Sequence, residues 1–265
     1  MIEFPWLDTA EIICSDEWTI IDEEIDGSTP DRFWVKNKKQ GIKALFKPDN
    51  MQLPQAHVEY AVSKLGRALG IQCAKIKIGE FDGSFGCLSF SETFSKRHRI
   101  SDGYSLYRCD SFFNNKKSDS NQKIYDNPVE ISFKGLLPYI SSETERSLFN
   151  MLYLDCIISN CDRHGGNYSF LITPNRVIGG LVDLYDHGLS LWNSLRDISL
   201  FPYDGLLELP FKEIYASLNR DYPEWVFEFE TKLAADEVIQ LMKTLECYDF
   251  ICAQLNKLRS YTMTQ

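Results

Sequence analysis

The chain has 265 residues, 44% apolar and 25% charged, with 28 basic against 38 acidic side chains and a formal net charge of −10. That carboxylate surplus repels a phosphate backbone, so it argues against direct nucleic-acid binding and against an anionic membrane surface. The apolar share suffices for one large domain or two closely packed lobes, and no window approaches the roughly 18 apolar residues of a membrane span. The start Met1-Ile2-Glu3-Phe4-Pro5 lacks the basic and apolar runs of a secretory leader. None of the eight cysteines is spaced Cys-x-x-Cys, and most sit in apolar runs. Reduced thiols and a cytoplasmic location are the expectation.

Residues 1–95 are predicted to be mostly strand. Trp18-Thr19-Ile20-Ile21 begins one, Arg32-Phe33-Trp34-Val35-Lys36 forms another, and Asp26-Gly27-Ser28-Thr29-Pro30-Asp31 between them has turn composition. Residues Gly41 to Lys47 alternate like a strand and end at Pro48. Val58, Ala61, Val62, Leu65, Ala68 and Leu69 mark the buried face of a helix that stops near Gly70. Strands near Cys73–Gly79 and Gly86–Phe94 follow. The pattern resembles the small lobe of a kinase.

From about residue 96 the character changes. Residues 114–121 are polar throughout and read as an exposed loop. Glu143 to Ile158 is predicted to be a buried central helix, and Ser169–Ile172 with Val177–Val182 a short hairpin. Residues 210–260 read as predominantly helical. The predicted division is 1–95 as a small lobe and 96–265 as a large one.

The chemistry is concentrated in Asn160-Cys161-Asp162-Arg163-His164-Gly165-Gly166-Asn167 and Tyr185-Asp186-His187-Gly188. An Asp, an Asn five positions on and a second Asp nineteen positions later is the order used in phosphoryl transfer from ATP. That reaction needs a cationic cradle, oxygen ligands for magnesium and a carboxylate beside the acceptor hydroxyl. Asp162 suits the last role, as catalytic base. The hairpin is expected to bring Asn167 and Asp186 together as magnesium ligands. Lys47 is the leading phosphate cation, with Lys43 on the same strand face as its competitor and Lys36 as a weaker one. Glu59, the single acid between Met51 and Gly70, lies at the edge of the helix's apolar face and can pair with Lys47. Gly27, Ser28 and Thr29 offer N–H groups and hydroxyls to phosphates. His164 can bond the loop backbone or neutralise phosphate, and Arg163 can pair with a carboxylate.

In "KALFKPD" at 43–49, "EYAVSKLGRALGI" at 59–71, "NCDRHGGNYSFL" at 160–171 and "LVDLYDHGLSLW" at 181–192 the chain resembles the HipA-like serine/threonine kinases of bacterial toxin–antitoxin modules. The resemblance implies an α+β, two-lobed protein-kinase-like fold with ATP and magnesium in the cleft. It implies Lys47 on phosphates, Asp162 as base, and Asn167 and Asp186 on magnesium, with His164 and Tyr185 beside the nucleotide. It makes Gly27–Thr29 the phosphate loop, with Ser28 as an autophosphorylation candidate, and Glu92-Thr93-Phe94 the hinge against adenine. Ser95 stands where an Asp contacts ribose in the best-known toxin. The chain lacks room for that toxin's N-terminal subdomain, so a separate subdomain protein or an antitoxin is an expected partner. A Ser/Thr protein, such as an aminoacyl-tRNA synthetase, is the expected acceptor. Two rivals stand beside this reading. One is a phosphoinositide-type lipid kinase, which the net charge of −10 disfavours. The other is an inactive ATP-binding module, which the full set of site residues disfavours.

Overall fold

The computed structural model describes residues 13–21, 32–49, 54–90, 99–102, 136–173, 178–194, 199 and 209–263. Strands β1 (Trp18–Ile20), β2 (Phe33–Asn37), β3 (Lys43–Pro48), β4 (Lys75–Phe81) and β5 (Ser84–Phe90) form an antiparallel sheet in the order β1-β2-β3-β5-β4. Asp82 and Gly83 join β4 to β5 with φ of 50° and 76°. Two consecutive left-handed residues make the turn whose twist matches a right-handed hairpin. Helix α1 (Gln55–Ala68) lies between β3 and β4 in sequence and packs on β4 and β5. It begins three residues before the first predicted core position, Val58.

Side-chain alternation splits the sheet into two faces. On β3, Ala44 and Phe46 join Trp18, Val35, Phe81 and Leu88 in a small outer cluster. Ile76, Ile78 and Cys87 point the other way, into the main core under α1. Lys47 pairs with Cys87 in the ladder and shares that inner side. This parity aims the lysine at the helix.

The main core continues into helix α2 (Ser142–Ile158), which is buried on nearly all sides over its last two turns. Ser141 caps it by accepting the Thr144 N–H at 3.2 Å, and Ser159 ends it in the left-handed region at φ 54°. A second sheet, in the order β6-β7-β8, contains β6 (Arg99–Asp102) and the predicted hairpin β7 (Ser169–Ile172) and β8 (Ile178–Leu181). The helical stretch predicted at 210–260 divides into α3 (Phe211–Asp221), α4 (Pro223–Leu233), α5 (Asp236–Thr244) and α6 (Tyr248–Thr262). Pro223 at the first turn of α4 forces the first division, since it cannot continue α3.

The Gly27-Ser28-Thr29 turn, the Glu92-Thr93-Phe94 hinge with Ser95, and the polar run at 114–121 lie outside the described residues. Seven cysteines are described, and all seven are free thiols. Among the described residues, no helix is long and apolar enough to cross a membrane.

Candidate active site

Three elements converge on Lys47. Its Nζ lies 3.1 Å from Glu59 Oε1 on α1 and 2.9 Å from Asp186 Oδ1, beyond β8. Burial alone would lower the lysine pKa, but the carboxylates of Glu59 and Asp186 outweigh it and hold the ammonium well above its ordinary value. For the acids burial would raise the pKa, and the Lys47 ammonium reverses it. Glu59 and Asp186 both stay below the ordinary carboxylate range. Glu59 is buried outright rather than at the edge of the helix face, and its Oε2 lies 3.7 Å from Nδ1 of buried His187. Asp186 Oδ2 faces Arg32 at 3.5 Å. Lys43 and Lys36 are exposed at the far end of their strands, so the cleft lysine is Lys47.

The second cluster grows from the end of α2. Asn167 donates its amide nitrogen to the Asp162 carbonyl at 2.7 Å and sits 3.4 Å from Asp162 Oδ2. His164 Nδ1 accepts the Gly166 N–H at 3.0 Å, so this histidine shapes the loop backbone. Burial raises the Asp162 pKa, His164 and Arg163 pull it back, and the Asp186 charge adds to the rise. Tyr185 turns its hydroxyl to the Gly166 carbonyl at 3.0 Å and to Ser169 Oγ at 2.9 Å, which ties the two strands together.

Arg163 joins these pieces. Its side chain is fully buried and forms a two-pronged pair with Asp155 on α2, Nε to Oδ2 at 2.9 Å and Nη2 to Oδ1 at 3.1 Å. Nη1 donates to the carbonyls of Asn167 and Tyr185, the latter at 2.8 Å. One guanidinium therefore grips the backbone at Asn167 and immediately before Asp186. Asn160 Nδ2 adds a bond to Asp155 Oδ1 at 2.9 Å. The charge balance of Arg163 is readable from sequence, but its burial and its partner are not. Arg32 and His187 were likewise without a role in the sequence. Both stand beside residues that had one.

The donor set fits a hard cation. The Asp162 carbonyl can only accept, so it fixes the Asn167 amide with nitrogen toward Asp162 and leaves Oδ1 to serve as a ligand. Asp186 supplies a carboxylate. Among the described residues no group of three or more His, Cys, Asp or Glu forms a metal cage. Magnesium bound by one or two side chains together with substrate phosphates needs no such cage.

The sequence profile of the HipA-like C-terminal domain matches residues 19–237. The crystal structure of a Helicobacter pylori proinflammatory kinase, CtkA, is similar with a TM-score of 0.64 and 14% identity, over 93% of this chain and 98% of that one. HipA from the Shewanella oneidensis MR-1 toxin–antitoxin system, solved with HipB and its operator DNA, has a TM-score of 0.49 and 12% identity, over 99% of this chain and 67% of that one. No curated protein matches the chain. The fold is α+β and two-lobed, of the kinase type.

Proposed function

The chain belongs to the HipA-like C-terminal domain family, and from that premise we propose that it is an ATP- and magnesium-dependent serine/threonine protein kinase. The observation that carries the reading is the buried meeting of Lys47, Glu59 and Asp186, one residue from each of three elements. Two carboxylates around a buried lysine have a use where a polyanion and its counter-cation bind.

Magnesium, when bound, would neutralise charge on the transferring phosphoryl group, and Asn167 and Asp186 would hold it. Glu59 keeps the Lys47 ammonium extended toward the cleft for phosphate oxygens. Asp162 takes the proton of the acceptor hydroxyl. Its raised pKa brings its basicity closer to that task than an ordinary Asp. Arg163 keeps the two ligand-bearing segments at a fixed separation.

The family resemblance supports a translation component such as an aminoacyl-tRNA synthetase as acceptor. It supports an antitoxin or a separate N-terminal-subdomain protein as partner, and Ser28 as a self-phosphorylation position. The test is incubation with γ-labelled ATP and magnesium, offering protein and lipid vesicles as acceptors, followed by phosphoamino-acid analysis. Wild type should label serine or threonine, and Asp162→Ala should not. Label confined to lipid would overturn the protein-kinase reading. Absence of any γ-phosphate transfer would overturn phosphotransfer altogether.

A further inference from the structure

Arg32 is a second cation in the cleft, and its placement is unusual. The ladder pairs Phe33 of β2 with Phe46 of β3, so its continuation sets Arg32 opposite Lys47. Like charges directly opposite on neighbouring strands repel. Here they are reconciled by a shared anion: Lys47 takes Asp186 Oδ1 at 2.9 Å, and Arg32 takes Asp186 Oδ2 at 3.5 Å. Both oxygens of the carboxylate are thereby turned to side-chain cations.

The two cations are not held equally. Lys47 is 11% exposed and fastened to Glu59 as well, whereas Arg32 is 32% exposed and its contact with Asp186 is longer. A divalent ion at Asp186 needs one of the two oxygens. The Arg32 contact is the one that yields at least cost, because a partly exposed guanidinium can be rehydrated more readily than the more deeply buried ammonium. Once released, Arg32 and Lys47 face each other without their common anion. A phosphate group restores it, and a guanidinium binds phosphate oxygens in a two-pronged fashion.

We propose that Arg32 is an exchangeable counter-ion of the site, pairing with Asp186 when the cleft is empty and with a nucleotide phosphate when a divalent ion claims Asp186. The proposal rests on the phosphotransferase reading above. It balances the two cations Lys47 and Arg32 against the two carboxylates Glu59 and Asp186. It also couples metal entry to phosphate binding through one side chain.

The test uses the full chain and needs no turnover. Manganese binding to the nucleotide-free protein is followed by electron paramagnetic resonance, and binding of a non-hydrolysable ATP analogue at saturating magnesium by calorimetry. Arg32→Gln should tighten manganese binding about tenfold, since it removes a competing charge, and weaken analogue binding about tenfold. Arg32→Lys, which keeps the charge, should leave manganese affinity within about threefold of wild type. Asp186→Asn should abolish manganese binding in either background. If Arg32→Gln moves neither affinity, or only one, the exchange is overturned while the kinase reading stands. If wild type binds no analogue, and no manganese that Asp186→Asn removes, the phosphotransferase reading fails and the exchange fails with it.

Discussion

Replacing Lys47 with Met should destabilise the fold in a way that depends on pH. The methionine fills the volume of the lysine stem, so the perturbation is chiefly the loss of charge. It strands Glu59, with a side chain 3% exposed, and Asp186, 14% exposed. Removing one partner of a buried ion pair costs about 3–5 kcal/mol. Both acids keep a second partner, His187 at 3.7 Å and Arg32 at 3.5 Å, so the lower end, about 3 kcal/mol, applies at pH 7. In the wild type both folded-state pKa values lie below the ordinary 4.5 and 3.8. The stability they contribute is complete above those values and is lost as pH falls below them. In the variant, burial without the ammonium pushes Glu59 upward instead. Its penalty is then largest at neutral pH and relieved as the carboxylate protonates. Urea unfolding at pH 7 and pH 5 should show the gap between the two proteins shrinking at the lower pH. Lys47→Met with Glu59→Gln should recover about 2 kcal/mol at pH 7. A loss below about 1 kcal/mol at pH 7, unchanged at pH 5, would refute the buried pairing.

For Asp162, kcat/KM should fall on the acid side with an apparent pKa above the ordinary 3.8, because the base must be ionised and burial raises it. Asp162→Asn should remove that limb and cut turnover about a hundredfold or more while analogue affinity, read by calorimetry, holds. Arg163→Met should cost about 3–5 kcal/mol in urea unfolding by stranding buried Asp155, and adding Asp155→Leu should recover most of it. Gly86→Ala would set a Cβ 2.3 Å from the Lys47 carbonyl and 2.8 Å from Pro48 Cα, backbone atoms that cannot step aside. It should destabilise by about 2 kcal/mol or more and weaken analogue binding through Lys47. Gly70→Ala, with open space around it but φ +78°, should cost about 1 kcal/mol and leave binding intact.

The sequence carried the order of the site but little of its support. The placement of Asp162, Asn167 and Asp186 around a hairpin could be read because a turn, a strand and a second turn each leave a local signature. The choice between Lys47 and Lys43 could not, since both occupy one strand face and the deciding fact is which of them lies against Glu59 of α1. Glu59 looked like an edge residue because periodicity ranks it by its apolar neighbours, while burial there is created by a cation from another element. Arg163 was similarly opaque. A fully buried arginine is uncommon, and its anion, Asp155, lies inside a helix that reads as apolar. Strand β6 is four residues with no alternation of its own, and it exists through pairing with β7. The breaks among the last helices carry one strong signal, Pro223, and the others fall at residues with no breaker chemistry.

Helix α1 determines which contact in the cleft is free to change. Its first turns touch the chain that carries Asp186, and its later turns touch the Cys73–Ala74 segment that is hydrogen-bonded to that chain. A Cβ at Gly188 would sit 3.1 Å from Gln55 at the start of α1. One turn on, Glu59 meets His187. Next, Ser63 Oγ donates to the Ala74 carbonyl at 2.6 Å, and Ala74 N–H in turn donates to Leu184 at 2.8 Å. Finally Gly66 lies so close to Cys73 that a Cβ would be 2.4 Å from its sulfur. A helix that meets the Asp186 segment directly at Gln55 and Glu59, and through Cys73 and Ala74 further on, cannot withdraw Glu59 without disturbing the chain that carries Asp186. The Lys47–Glu59 pair is therefore built into the fold, and its formation is a poor point of control. The contact of Asp186 with Arg32, the residue just before β2 and about one-third exposed, is bound by none of these constraints. Exchange of charge in this cleft is accordingly expected there.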